Sequence, residues 1–221
     1  MNVIEAILSR RTVRAFRPDP VDKDTVKRVL EAALHAPSWA NTQPWEAFVA
    51  AGEVLERLRS AYLARLEQGV APQFDLAPVQ QWPPPHRQRI EELLGTRLRL
   101  LGIDPQAPEA KQATARYNYS FFGAPVVVYL CMDRNLDRWS LFDLGSFAQT
   151  LMLAAREYGL DSAVAVNLVA YPDLIRAELG IPEELAVVIG VALGYADPEA
   201  VINRFRSTRR PLEDVARLVG F

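Results

Sequence analysis

Arg10, Arg11, Arg14 and Arg17 fall within the short segment SRRTVRAFR, with Ser9 and Thr12 among them. Guanidinium forks flanking a hydroxyl are what a phosphate monoester needs for bidentate, charge-assisted hydrogen bonds. The same residues also suit a solvated helix end, where Arg10 and Arg11 would offset the negative pole of the helix. A second segment, Arg204-Phe205-Arg206-Ser207-Thr208-Arg209-Arg210, repeats the mixture of arginine and hydroxyl and reads equally well as a solvated tail. Between them lies Pro37-Ser38-Trp39-Ala40-Asn41-Thr42-Gln43-Pro44-Trp45. Its prolines stiffen the backbone, its amides and hydroxyls offer donors and acceptors, and its indoles are flat apolar walls. That combination suits a planar heterocycle with polar edges; the plainer alternative is a loop whose tryptophans fill the core.

Other chemistries find little support. Cys131 lies in an apolar run and reads as an inert core thiol. One cysteine and two histidines, His35 and His86, make a disulfide framework or a metal centre improbable. No G-x-S-x-G, G-x-G-x-x-G or P-loop pattern occurs. An enzyme without a catalytic side chain is still possible where a cofactor performs the chemistry. The net charge of −2 argues against a general nucleic-acid binder. Of 25 cationic residues only Lys23, Lys27 and Lys111 are lysines, so any anion site here is built from arginine. The longest apolar runs are too short for a membrane helix, and the N-terminal stretch lacks the form of a signal peptide. These features point to a soluble cytoplasmic protein whose 221 residues can bury a sizeable core.

Apolar spacing predicts helices over 3–10, from Asp22 or Asp24 to about Pro37, and over 53–68. A strand is expected over 46–51. Residues 70–85, rich in proline, read as a rigid connection rather than a packed element. Helices follow over 87–101 and 110–119, and with the connection they look like an insertion. Strands are expected over 126–132, 163–167 and 185–193, and a last apolar pattern runs over 212–218. The helix over 140–158 is apolar nearly all round, so it should be buried on more than one side, its own fold covering one and a second subunit another. Helices first, then single strands separated by helices, favour an α+β fold over a doubly wound sheet.

Taken in order, RRTVRAF, PSWANTQPW, FFGAPVVVY, GSFAQTLMLAAREYGL, GIPEELAVVIGVALGY and RSTRRPLEDV resemble the nitroreductase family of FMN-dependent oxidoreductases. The resemblance covers most of the chain apart from about residues 53–115, and its form is most similar to the branch that reduces nitrobenzoates and other nitroaromatics. It implies a three-layer α/β/α fold with a mostly antiparallel central sheet, in an intertwined homodimer, with 1–221 as one domain and 70–120 as a lid. It implies that Arg10, Arg11, Thr12, Arg14 and Arg209 hold the FMN phosphate and ribityl chain. Pro37, Ser38, Trp39 and Asn41 would reach the flavin of the other subunit. Asp143 and the stretch Val164, Ala165 and Val166 would lie near the ring. Trp39, Phe121 and Phe122 would line the substrate side. A basic residue beside the flavin N1–C2 edge is also implied, within the segment that does not align.

The implied activity is hydride transfer from NADPH or NADH through FMN to a nitroaromatic or quinone-like acceptor, in a ping-pong cycle, with no metal and no catalytic side chain. Enone reduction, reductive dehalogenation and flavin destruction on the same fold remain alternatives, as does a flavin-binding protein without turnover.

Overall fold

The computed structural model describes residues 1–108 and 110–221. Four strands form one sheet: β1 (Glu46–Ala51), β2 (Val126–Asp133), β3 (Asp161–Ala165) and β4 (Leu185–Gly194). Their order is β1-β2-β4-β3, and every neighbouring pair is antiparallel. An antiparallel sheet usually leaves one face to water and alternates apolar with polar residues. Here β2 and β4 are covered on both faces, which is why they read as near-continuous apolar runs.

The alternation of β2 sorts the core into two halves. Val127, Tyr129 and Cys131 join a cluster with Leu55, Tyr62, Phe121, Tyr171 and Ile175. That cluster lies beneath α3 (Gly52–Glu67), α5 (Ala110–Tyr119) and α7 (Pro172–Leu179). Val126, Val128 and Leu130 join Val29, Trp45, Phe147, Leu151 and Leu160 on the other side. That side is roofed by α2 (Lys23–Ala33) and α6 (Arg138–Glu157). The result is the expected α+β architecture, helix on sheet on helix. Asp22 starts α2 by accepting a hydrogen bond from the Thr25 amide at 3.0 Å, which satisfies one of the orphan donors at the helix N-terminus. Among the described residues no helix is long and apolar enough to cross a membrane.

Three expectations need correction. The third strand runs over 161–165, because residues 166–169 turn into a 3-10 helix instead of extending it. The last helix, α8 (Leu212–Val215), stops three residues short of the expected end. The connection over 70–85 is not free of packing. Its Asp75 accepts hydrogen bonds from Arg176 at 2.6 Å, Arg134 at 3.0 Å and the Val187 amide at 2.8 Å. Pro84 already belongs to α4 (Pro84–Leu100), where proline fits the first turn.

Candidate cofactor site

The helix α1 (Val3–Ser9) stops where the first arginine segment begins. From there the chain runs beside the edge strand β3. Thr12 forms a parallel bridge with Ser162, and the Val13 amide donates to the Ser162 carbonyl at 2.9 Å. The Phe16 and Arg17 amides continue the anchoring, to Phe122 at 3.1 Å and Tyr195 at 2.8 Å. Asn203, buried, closes the other side. Its Oδ1 accepts from the Arg14 amide at 2.9 Å and the Ala15 amide at 3.2 Å. Its Nδ2 donates to the carbonyls of Ala15 at 2.7 Å and Asp197 at 2.9 Å.

This clamp brings the two arginine segments together. Ser9, Arg10, Arg11, Thr12 and Arg14 share a pocket of about 420 Å³ with Arg206, Ser207 and Arg209. Arg206 donates to the Asn203 carbonyl at 2.8 Å, and Arg209 donates to the Ser207 hydroxyl at 2.7 Å. Among the described residues, none of these guanidiniums is paired with a carboxylate, and Arg11 Nε is buried with no partner. Burial lowers the pKa of Arg10, with Arg209 adding to it, and burial lowers that of Arg11, with Arg206 adding. Arg14, the deepest, is pushed down to about 10 by burial and then by Arg97. Clustered, partly desolvated cations without counter-charge favour a multiply charged anion. A phosphate dianion fits the donor set and the unsatisfied Arg11 Nε.

The Pro37–Trp45 loop goes elsewhere. Its two tryptophans divide the two readings of the sequence. Trp45 is buried against Phe147, ring centroids 5.0 Å apart, whereas Trp39 is 71% exposed. The loop is held in shape by the Trp39 amide donating to Asp143 Oδ2 at 3.0 Å and the Gln43 amide to Ser38 Oγ at 3.1 Å. Ala40, Asn41 and Gln43 adopt left-handed backbone angles (φ 48, 58 and 47°), a conformation that costs a residue with a side chain about 1 kcal/mol or more. Pro37, Ser38, Trp39 and Asp143 line a separate hollow with Trp139 and Phe142. No residue of it belongs to the arginine pocket. Val164 and Ala165 lie opposite Val191 and Gly190 in the sheet, and Val166 is exposed just beyond.

Phe121 and Phe122, expected on the substrate side, are buried in the core of the single chain. Phe121 is wholly buried against Tyr62, and Phe122 is buried against Tyr117. Both belong to the core cluster beneath α3 and α5, so apolarity drives them inward rather than toward a ligand.

Residues 7–195 match the family model described as Nitroreductase family. The chain belongs to the nitroreductase family. It is 37% identical over 221 residues to the nitroreductase NfnB of Mycolicibacterium smegmatis, covering 96% of this chain and 90% of that protein. It is 35% identical to a 4-nitrobenzoate reductase of Pseudomonas putida, covering 97% and 94% of the two chains. A crystal structure of the FMN and NADPH-dependent nitroreductase NfnB from Sphigopyxis sp. strain HMH superimposes with a TM-score of 0.94 at 33% identity, covering 100% of both chains.

Within this nitroreductase fold, several residues that bear on the site were invisible to sequence reasoning. Asn203 is a lone amide in a segment without periodicity. Arg97 is one of several arginines on an amphipathic helix. Tyr117 donates its hydroxyl to the Arg14 carbonyl. For Asn203 and Tyr117 the sequence carried no signal, and the excess of arginine does not tell Arg97 from the others.

Proposed function

We propose that this chain is an FMN-dependent oxidoreductase that uses NADPH or NADH to reduce nitroaromatic or quinone-like acceptors. The observation that carries the reading is the convergence of residues 10–14 and 206–209 on one cation-lined pocket of about 420 Å³ without a described acidic partner. Relatives named as nitroreductases and nitrobenzoate reductases, and a neighbouring structure named as FMN and NADPH-dependent, support the choice of cofactor and acceptor. When bound, FMN supplies the redox chemistry, taking a hydride from the nicotinamide and passing it to the acceptor.

The chain's own residues bind and orient. Arg10, Arg11, Thr12, Arg14 and Arg209 would hold the phosphate and ribityl chain, with Arg14 the deepest of them. Val164, Ala165 and Val166 border the ring from β3. Pro37, Ser38, Trp39, Asn41 and Asp143 serve the ring of a second subunit, because within one chain their hollow is separate from the arginine pocket. A homodimer also accounts for the exposed apolar side chains of Val3, Leu8, Trp139, Phe142, Leu218 and Val219. Residues 70–120 act as the lid of the single domain, with α4 as its mobile part, since only Gly95 of that helix is buried. The protein works in the cytoplasm.

The test is the visible spectrum of the purified protein before and after anaerobic NADPH or NADH. A flavin spectrum that bleaches with nicotinamide and returns with a nitroaromatic is the expected result. Flavin that does not bleach makes the protein a binder without turnover. A colourless protein that also takes up no FMN ends the proposal. Replacing Arg10 and Arg14 with alanine lowers FMN retention; unchanged retention removes the phosphate assignment.

A further inference from the structure

Helix α4 separates two cavities. Leu93 faces the phosphate pocket. Leu94, Leu98 and Leu101 face a second cavity of about 620 Å³, closed by α3 and α5 and sharing no residue with the first. Its size falls within the range that holds small organic ligands.

The polar groups of this second cavity are nearly all committed. The Thr114 hydroxyl donates to the Ala110 carbonyl at 2.8 Å, and the Ser120 hydroxyl to the Tyr117 carbonyl at 2.8 Å. Arg116 pairs with Glu67 at 3.1 Å, and the Tyr117 hydroxyl is taken by the Arg14 carbonyl. Arg97 remains. Its Nε is buried without a partner, and among the described residues its guanidinium pairs with no carboxylate.

We propose that this cavity binds a small hydrophobic monocarboxylate, its tail among Leu63, Leu94, Leu98, Leu101 and Ile103 and its carboxylate on Arg97. The carboxylate matches the guanidinium fork, satisfies the orphaned Nε and supplies the one charge that the walls lack. A dianion is ill suited, because among the described residues Arg97 is the one cation lining the cavity without a carboxylate partner. A neutral apolar molecule leaves this half-buried guanidinium, with its Nε buried, unpaired. Burial lowers the pKa of Arg97, the direction expected of a cation short of an anion. Its positive charge also lowers that of Arg14, so an anion on Arg97 eases the crowding of charge beside the phosphate pocket.

The experiment is calorimetric titration of the flavin-loaded protein with octanoate, using octanamide as a probe of equal length without charge. One octanoate binds per chain, and octanamide binds about 10-fold more weakly or worse, as expected for loss of a charged hydrogen-bonded pair. Arg97→Met lowers octanoate affinity by a similar factor. Ala113→Phe, which fills the cavity from α5, removes binding while Arg97 remains. Absence of saturable binding overturns the proposal, as does equal affinity for octanamide or for Arg97→Met. Octanoate that binds only flavin-free protein, or displaces FMN, also overturns it. FMN retention is read by absorbance in the same samples, so failure of this site is distinct from failure of the flavin reading.

Discussion

Asn203→Ala is the most informative single change. The side chain makes four hydrogen bonds, two accepted from the Arg14 and Ala15 amides and two donated to the Ala15 and Asp197 carbonyls. At about 1 kcal/mol net for each, their loss costs the fold about 4 kcal/mol, less whatever water recovers in the vacated space. The effect on the pocket is separable. Arg14 and Ala15 keep only the bonds to their carbonyls from Tyr117 and the Asp197 amide, and the freed segment must be ordered again when the anion binds. At about 1 kcal/mol for each backbone residue so ordered, affinity for FMN falls by about 2 kcal/mol, roughly 30-fold in Kd. The assay is titration of flavin-free protein with FMN, followed by fluorescence quenching, alongside urea unfolding of the same sample. A loss of stability with FMN affinity within twofold of the parent refutes the argument that Asn203 shapes the site. Unchanged stability refutes the hydrogen-bond accounting as well.

Asp75→Ala leaves buried Arg176 with only the exposed Glu183 carboxylate, 3.6 Å away, and lowers stability by about 3 kcal/mol in chemical denaturation. The ionisation of Asp75 sets a pH dependence. Burial raises its pKa, but Arg176, the Val187 amide and Arg134 together bring it below the ordinary aspartate range. A folded-state value below the unfolded one stabilises the protein above the unfolded pKa, and that contribution disappears as pH falls through the folded value. Asp75→Asn therefore flattens the acid limb of a stability–pH profile, and an unaltered limb would count against the network. Gly190→Ala places a Cβ 2.4 Å from Leu168 Cβ; the overpacking costs about 1–3 kcal/mol and lowers Tm by several degrees in a thermal melt. Removing residues 212–221, whose apolar side chains are exposed in a single chain, shifts the sedimentation coefficient toward monomer if that segment packs on a second subunit.

Local periodicity carried much of the fold. β1 and α5 occupy the bounds read from the sequence, because each is a short pattern with clear punctuation at both ends. β3 slipped by two residues: the apolar run of Val164 to Val169 continues through the 3-10 turn, and hydrophobicity alone does not mark where extension stops. The arginine clusters were legible as a chemical type. Their convergence was not, since Asn203 and Arg14 are 189 residues apart. Asp75 was missed for the same reason: its partners lie 59, 101 and 112 residues away, and no spacing rule reaches that far. The burial of Phe121 and Phe122 was not legible either, because aromatic residues serve cores and ligand walls alike.

The phosphate pocket draws one wall from residues 9–14 and the other from 206–209, with Asn203 as the rivet. Arg14 and Asn203 are 189 residues apart, so during synthesis the first wall exists long before the second. A product halted before residue 203 lacks both the rivet and the opposing arginines. Capture of a phosphate ligand by this pocket thus requires the two segments to be docked on each other, and a fragment carrying only one of them has half a site.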